Sequence, residues 1–330
     1  MNFENIQVGK PVTGKDFIGR EEELKLMLQL LSQGQSIVLI APRRYGKTSL
    51  VTEALRRLDN KGFYTSYIDL FSNPTMDGLA ADITQEVLSN KRLDKAFSIF
   101  MKNIKELVKN VEFRHEIDQN EFILHFNDRH HNPNELLSDS IDFIERFAKN
   151  NNKHIIAAFD EFGDLAKYGS DKIVKLFRSK MQTHKHATYI FSGSYESVMN
   201  ELFVTPRSPF YRFARIIQLR GINKDRFSEH IISKLKHNKQ TITDEALNLL
   251  FNFTQGHPYY TQLMLQQMLL FYNDKKVIDK REVEHIKKDL LTIEMNYIEK
   301  TWEDLSRVKE LVPVLLALSV KEQSIYTATA

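Results

Sequence analysis

Three consecutive residues, Gly46-Lys47-Thr48, are the first in this sequence whose types and order point to chemistry. They belong to the stretch SIVLIAPRRYGKTSL, Ser36 to Leu50, in which an apolar run leads into a polar loop. Glycine lets a chain pass close to bound phosphates, lysine supplies a cation for the β- and γ-phosphates, and threonine supplies a hydroxyl for Mg²⁺. The order of these residues predicts a loop that binds a nucleoside triphosphate through its backbone N–H groups.

The beginning of this loop departs from the pattern G-x-x-x-x-G-K-[ST], because Ala41 replaces the first glycine and Pro42 follows it. The first position only turns the chain out of a strand, so alanine is tolerable there if φ stays negative. Proline has no N–H, but the donors needed come mostly from later in the loop. We expect the loop to work, and we predict these nucleotide-binding residues: Ala41, Pro42, Arg43, Arg44, Tyr45, Gly46, Lys47, Thr48 and Ser49.

A pair of acids, Asp160-Glu161, directly follows the apolar run of HIIAAFDEF. An acid after a second strand can hold the Mg²⁺ shell, and the next acid can polarise the attacking water as a general base. Two surface acids at a strand end are common, but such a pair downstream of a phosphate loop is much less common by chance. We predict Thr48 and Asp160 as metal ligands and Glu161 as the catalytic base, assisted by Lys47.

The next apolar run, YIFSGS, ends at Ser194. A small polar group beside the γ-phosphate could report its presence, so Ser194 is a further catalytic candidate. A simple turn is the alternative interpretation.

The elements that position these residues follow from periodicity. The first ~70 residues are predicted to form a helix, a strand, the loop, a helix and a second strand, and this order is typical of a parallel α/β sheet. Strands are predicted at 37–40 and 63–71, in the apolar run within 153–165, and at 187–194 and 214–219. Two alternating segments within 111–126 predict an inserted β-hairpin. From Asn223 onward we predict only helices.

Composition bounds the class of protein. The chain has 330 residues, 42% hydrophobic and 27% charged, with 46 Lys and Arg against 43 Asp and Glu. This balance gives no general signal for a polyanionic partner. The absence of cysteine excludes disulfides and cysteine-ligated zinc. No apolar run approaches the ~20 residues that span a bilayer. We therefore expect a cytoplasmic protein without a membrane partner.

The nucleotide is predicted to be ATP. A GTPase normally carries N-K-x-D for guanine, whereas Asn223-Lys224-Asp225-Arg226 has its acid one position early. A kinase of small molecules would not need so long a helical region after the sheet. ATP and Mg²⁺ are therefore the expected cofactors.

Six segments now identify a resemblance, because they occur in one order between roughly Asp16 and Leu270. The segments are FIGREEEL, APRRYGKTSL, FDEF, FSGS, SPFYRFARIIQL and TQGHPYY. This ordered set resembles the archaeal-type ATPase family, which also occurs in Bacteroidetes and is placed in the STAND group of AAA+-like P-loop ATPases. The resemblance implies an ASCE sheet core, a helical lid and a C-terminal winged helix.

Carried over by position, the resemblance makes Gly46, Lys47 and Thr48 the Walker A residues, and Asp160 and Glu161 the Walker B pair. Gly19 and Arg20 of FIGREEEL join the expected nucleotide-binding set. Gly256 and Pro258 stand where related ATPases have a G-x-P motif that packs by the adenine, although a plain helix N-terminus is nearly as good an interpretation.

The segment SPFYRFARII departs from the family's usual P-L-Y-G-R. Arg212 or Arg215 could approach the γ-phosphate, and Arg212 is our catalytic candidate. Salt bridges between domains are the alternative for both arginines.

The expected domains are an N-terminal extension (1–15), a P-loop ATPase core (16–221) and a helical lid (222–305). The segment 306–330 resembles the start of a winged helix that is incomplete here. We expect an ATPase that acts as a nucleotide-dependent conformational switch and that forms a homo-oligomer when ATP binds. A DNA-acting loader or regulator, using the missing winged helix, is one alternative. A non-hydrolysing ATP-binding module is the other, and the intact Asp160-Glu161 pair argues against it.

Overall fold

The computed structural model describes residues 6, 8–90, 111–113, 124–126, 132–169, 171–308 and 311–321. The chain divides into two compact units. One unit, called the sheet unit below, consists of Gln7–His230 and Gly256–Tyr260. The other, the helical unit, is formed by the remaining residues.

The sheet unit contains a five-stranded parallel sheet and a separate pair of antiparallel strands. In chain order, the strands are β1 (Ile37–Ile40), β2 (Tyr64–Asp69), β3 (Val111–Phe113), β4 (Leu124–Phe126), β5 (Ile155–Asp160), β6 (Ala187–Gly193) and β7 (Arg215–Gln218). The main sheet has the order β2-β5-β6-β1-β7, and all its neighbours pair in parallel. The predicted α/β fold with a parallel sheet is therefore confirmed.

β3 and β4 pair at the two ends of the segment for which the sequence predicts a hairpin, with Val111 opposite Phe126. The middle of this predicted hairpin, residues 114–123, lies outside the described residues.

Helices cover both faces of the main sheet. In chain order they are α1 (Glu21–Ser32), α2 (Lys47–Asp59), α3 (Met76–Leu88), α4 (Pro133–Asn150), α5 (Asp171–Met181) and α6 (Glu196–Phe203). Residues of α1 and α2 share one buried cluster with Ile37 and Leu39, whereas residues of α3 to α6 share another with Val38 and Ile40. Alternate side chains of β1 therefore enter opposite cores, which explains why this short strand is apolar at every position.

A buried carboxylate ties α2 to the segment that precedes α1. Glu53 lies on α2 and is 0% exposed. It accepts a hydrogen bond from the N–H of Gly14 at 2.9 Å and further ones from the guanidinium groups of Arg56 and Arg57. In the same region, Val12 donates its N–H to the hydroxyl of Ser49 at 3.1 Å.

The helical unit is built mainly from helices, as the sequence predicts, but it also contains two short strands. Its elements, counting α7 and α9, whose first residues belong to the sheet unit, are α7 (Lys224–His237), β8 (Thr241–Ile242), α8 (Asp244–Thr254), α9 (Pro258–Phe271), β9 (Val277–Ile278), α10 (Lys280–Ser306) and α11 (Leu311–Lys321). None of the described helices combines the length and the apolar character needed to span a bilayer.

The prediction that only helices follow Asn223 is wrong at β8 and β9, which pair in parallel. Each strand has two residues, too few for an alternating pattern to appear in the sequence. The ladder sets the starts of two packed helices side by side, because Thr243 caps α8 and Asp279 caps α10.

Candidate functional site

The carboxyl ends of four neighbouring strands lie at one edge of the main sheet. Ile40 at the end of β1 is in register with Gly193 of β6, and Asp69 of β2 is in register with Asp160 of β5. The loop after β1, the Asp160-Glu161 pair and the residues around Ser194 are thereby brought together. A crevice at the carboxyl edge of a parallel sheet is where α/β proteins bind ligands.

The loop after β1 has a backbone suited to phosphate. Ala41 is fully buried and does not have a positive φ, so alanine is accommodated there without strain. Gly46 has φ +84°, and α2 begins immediately after it. A Cβ built on Gly46 would meet no protein atom within 4 Å, so it would project into open space. Open space at a helix N-terminus with free N–H groups is a site that fits an anion.

Arg44, in the same loop, has φ +65°. This conformation is costly for a residue with a Cβ, by about 1 kcal/mol or more. The side chain is held, because its guanidinium lies 4.3 Å from the ring centre of Tyr259. The strained position in the loop is thus Arg44, and the substituted first glycine, Ala41, is relaxed.

Lys47 is 5% exposed, and its ammonium group faces back along the loop. Nζ donates to the carbonyl oxygens of Ala41 at 2.8 Å and Pro42 at 3.0 Å. Burial lowers the pKa of Lys47, while the charges of Glu161 and Asp160 oppose that shift. Pro42 thus takes part in the loop through its carbonyl oxygen, although it has no N–H to offer a phosphate.

Asp160 has partners on both carboxylate oxygens. Oδ2 accepts hydrogen bonds from Thr48 Oγ1 at 3.1 Å and from the Tyr67 hydroxyl at 2.5 Å. Oδ1 accepts from Ser192 Oγ at 2.5 Å and from the N–H of Glu161 at 3.0 Å. The structure therefore brings together Thr48 and Asp160, the two predicted metal ligands.

The donor set fits Mg²⁺. Across the described parts of the chain, no group of three or more histidines and acids is arranged to hold a metal ion. One hydroxyl and one carboxylate leave most of the coordination shell to phosphate oxygens and water, which is the usual arrangement for Mg²⁺ at a triphosphate.

Glu161 lies beside Asp160 and is held by Ser194. Its two carboxylate oxygens accept from the N–H of Ser194 at 3.0 Å and from the hydroxyl of Ser194 at 2.5 Å. Glu161 also has φ +49°, a conformation that is uncommon outside glycine and is found at functional sites. Ser194 is thus at the predicted site, but its hydroxyl is bonded to the predicted base.

Two residues of β2, Tyr67 and Asp69, belong to this site but were not predicted from the sequence. Tyr67 bonds to Asp160, and burial raises its pKa well above the usual value for a tyrosine. Asp69 ends the strand beside Asp160, and burial raises its pKa, with further increases from the charges of Asp160 and Glu161. The strand itself was predicted, but its position next to β5 was not, and only that position makes these side chains neighbours of the acid pair.

Arg20 contacts the phosphate loop from the segment before α1. It is 4% exposed, and Nη2 donates to the carbonyl oxygens of Tyr45 at 3.2 Å and Arg220 at 2.5 Å. The adjacent Gly19 has φ +70°, and a Cβ there would lie 2.3 Å from the Ile222 side chain. Arg20 therefore supports the phosphate loop directly, and Gly19 allows the close packing of this segment on Ile222.

The segment Gly256–Tyr260 belongs to the sheet unit and packs at the same place. Gly256 has φ +70° and accepts a hydrogen bond from the N–H of Ile222 at 2.9 Å. The ring of His257 lies 4.5 Å from that of Tyr45. Pro258 is the first residue of α9, as a helix-starting proline should be. The segment with the G-x-P pattern is thus brought next to the phosphate loop.

Two predicted residues face elsewhere. Arg212 lies ahead of β7, whose first residue pairs with the first residue of β1, so it precedes the edge of the sheet opposite the phosphate loop. Its guanidinium lies 5.2 Å from the ring of its neighbour Tyr211. Ser49 directs its hydroxyl to the N–H of Val12.

Comparisons with known proteins agree with this geometry. A family model described as an ATPase domain predominantly from Archaea matches residues 17–264. Among solved structures, the chain is similar to a Walker-type ATPase of Pyrococcus abyssi, with a TM-score of 0.63 and 17% identity, over 92% of this chain and 80% of that chain. No curated protein matches the sequence.

Two further solved structures share the fold. The ORC1 protein of Aeropyrum pernix, in complex with DNA, has a TM-score of 0.53 and 12% identity, over 83% of this chain and 66% of that one. Cdc6p of Pyrobaculum aerophilum has a TM-score of 0.52 and 14% identity, over 84% of this chain and 69% of that one. At these identities the likeness concerns the fold alone.

Proposed function

Because the chain belongs to the family of ATPase domains found predominantly in Archaea, we propose that it binds ATP with Mg²⁺, hydrolyses it slowly, and changes conformation with the bound nucleotide. The observation that carries the proposal is the meeting of four groups at one sheet edge: the Gly46 loop, Lys47, the Thr48–Asp160 pair and Glu161. Each has the chemistry that one part of a phosphoanhydride hydrolysis needs.

The roles follow from the side chains. Thr48 and Asp160 would hold Mg²⁺, which supplies charge neutralisation at the phosphate oxygens when bound. Lys47 supplies a cation for the same oxygens, and phosphate is a stronger acceptor for it than the two carbonyls it now contacts. Glu161 is the base that takes a proton from the attacking water. Tyr67 and Ser192 keep the Asp160 carboxylate in a fixed orientation.

The proposed conformational switch is supported by the present hydrogen-bond partners of Lys47 and Glu161, which differ from the partners that catalysis needs. Lys47 is bonded to the carbonyls of its own loop, and Glu161 is bonded to Ser194 at the start of the β6–α6 loop. We expect both groups to exchange these partners when they act on nucleotide and water. Binding of ATP is therefore expected to move the β6–α6 loop, which couples the nucleotide to a conformational change.

Assembly is a further part of the proposal. Arg212 is exposed and precedes the sheet edge opposite the phosphate loop of its own chain. If it acts at a γ-phosphate, it does so in another copy of the chain, which makes a homo-oligomer formed on ATP binding the arrangement to test. The similar ORC1 protein was solved in complex with DNA. We therefore propose to repeat the assay of this chain with DNA added.

The test is steady-state phosphate release from Mg·ATP by the wild-type chain, Glu161→Gln and Lys47→Ala, with ATP binding measured in parallel. We expect slow turnover by the wild type. Glu161→Gln should lose turnover by about 100-fold or more while still binding ATP, since a general base contributes about that factor. Lys47→Ala should lose binding.

Three outcomes contradict parts of the proposal. No ATP binding by the wild type would reject the nucleotide site. Binding without turnover would reject the ATPase and leave a binding module. Turnover that survives in Glu161→Gln would reject Glu161 as the base.

A further inference from the structure

Arg43 is an exposed cation on the phosphate loop, and its hydrogen-bond partner among the described residues is neutral. Nη2 donates to the hydroxyl of Tyr195 at 3.0 Å, and the guanidinium lies 5.3 Å from the centre of that ring. Within the part of the chain that the structure describes, Arg43 forms no ion pair. A guanidinium binds carboxylates and phosphates in preference to a phenol, because its fork of donors matches their paired oxygens.

The two arginines of the loop point to different sides of it. Arg44 lies over Tyr259, on the side of the G-x-P segment. Arg43 reaches the opposite side, where Tyr195 directly follows Ser194, the residue that holds Glu161. Arg43 is therefore on the side of the loop where the base and the attacking water must be.

Arg43 and Lys47 are like charges that act on one another. Lys47 is buried and lies four residues after Arg43 on the same loop. Two cations on one loop repel each other, and this repulsion is relieved when an anion binds between them.

We propose that Arg43 is a further catalytic residue, one that contacts the γ-phosphoryl group from within the same chain and stabilises the charge it develops during hydrolysis. The inference rests on the proposed ATPase function. In the step, a water oxygen forms a bond to the γ-phosphorus while the bond from that phosphorus to the β–γ bridging oxygen breaks. The bridging oxygen leaves with the electron pair as part of ADP, and the proton of the water passes to Glu161 and then to solvent.

In this arrangement the Tyr195 hydroxyl is where the Arg43 side chain rests before ATP binds. Arginines that act on a transferring phosphoryl group contribute about 10³–10⁵ to kcat, whether they come from the same chain or from a partner.

The experiment compares Arg43→Ala, Arg43→Lys and Tyr195→Phe with the wild type. We expect Arg43→Ala to lower kcat by about 100-fold or more and to reduce the preference for ATP over ADP, with ADP affinity close to that of the wild type. Arg43→Lys should recover part of the loss, since it keeps the charge. Tyr195→Phe is the comparison variant, because it removes the hydroxyl that Arg43 contacts and keeps the arginine, so it should turn over at least as fast as the wild type.

A second readout does not depend on turnover. Wild type and Tyr195→Phe should trap ADP with aluminium fluoride, a mimic of the transferring phosphoryl group, and Arg43→Ala should not. Wild-type kcat in Arg43→Ala, or equal losses in Arg43→Ala and Tyr195→Phe, would overturn this inference and leave the ATPase proposal standing. Failure of the wild type to bind or hydrolyse ATP would overturn both.

Discussion

Ser194 holds the carboxylate of Glu161 with two hydrogen bonds, one from its N–H at 3.0 Å and one from its hydroxyl at 2.5 Å. Both donors are on the loop that follows β6, whereas Glu161 follows β5. The predicted base is therefore restrained by the loop that follows the neighbouring strand.

Ser194→Ala removes one of these two bonds and should raise basal turnover by about tenfold or more, because a hydrogen bond to a charged group contributes about 1.5–3 kcal/mol. ATP affinity should not change. Steady-state phosphate release and ATP titration check the two quantities. A fall in kcat would contradict the prediction and would mean that the hydroxyl orients Glu161 for catalysis.

Tyr67→Phe removes the hydroxyl that donates to Asp160 at 2.5 Å. Asp160 keeps its other donors, so the chain should fold, but its carboxylate is less well fixed. We expect kcat to fall by about tenfold, the equivalent of one hydrogen bond of about 1.4 kcal/mol, and the Mg²⁺ concentration needed for half-maximal turnover to rise. Tyr64→Phe, on the same strand, is the control, since the Tyr64 ring packs on Phe147. Equal Mg²⁺ requirements in the two variants would reject a role for the Tyr67 hydroxyl.

Gly46→Ala should separate the cost in stability from the cost in binding. At φ +84° a side chain destabilises the fold by about 1–2 kcal/mol, and the added Cβ projects into the open space where phosphate is expected. We predict ATP binding weaker by about tenfold or more. Gly62→Ala is a matched control, because Gly62 has φ +88° and lies beyond the other end of α2. It should show a similar loss of stability with unchanged ATP affinity, and chemical denaturation with ATP titration measures both.

Glu53 should make stability depend on pH in acid. The hydrogen bond from Arg56, together with those from the N–H of Gly14 and from Arg57, lowers the pKa of Glu53 from about 4.5 to about 2. A carboxylate with a lowered pKa contributes stability that is fully present above its unfolded pKa, near 4.5, and that is lost as the pH falls through 2. Glu53→Gln should therefore be less stable than the wild type by about 2 kcal/mol at neutral pH.

The difference in the free energy of unfolding between wild type and Glu53→Gln should narrow below pH 4.5 and close near pH 2. Unfolding in denaturant at neutral and acid pH measures this difference. Glu22→Gln, an exposed position on α1, should match the wild type throughout. A gap of constant size across this pH range would show that the ion pairs with Arg56 and Arg57 are not its source.

The sequence was sufficient for the order of the main strands along the chain and for the groups at their ends. Each strand of the main sheet is a short β-branched or aromatic run, and such runs are recognisable without a structure. The sequence also predicted that Lys47, Thr48, Asp160 and Glu161 would lie together, because each follows a recognisable strand of the same sheet. Their roles stay predictions.

What could not be predicted depends on which strands are neighbours. Tyr67 and Asp69 matter because β2 pairs with β5, and nothing in the local pattern of YTSYID distinguishes that neighbour from another. Ser194 was assigned to the γ-phosphate from its place after β6, whereas the bond it makes is to Glu161. The β8–β9 ladder was not predicted, because a strand of two residues is too short to show an alternating pattern of hydrophobicity.

The short run Gly256–Tyr260 has a consequence for anyone who wishes to shorten this polypeptide. A chain stopped at His230 would keep the whole main sheet but would lack the acceptor for the Ile222 N–H, the ring that packs on Tyr45 and the ring that stacks on Arg44. The phosphate loop would then lose its neighbours although its own sequence was intact. The shortest chain that keeps these three contacts has to run through Tyr260. It therefore includes residues 231–255, although these belong to the helical unit. Truncation at His230 would test the sheet alone, and truncation beyond Tyr260 would test the nucleotide site.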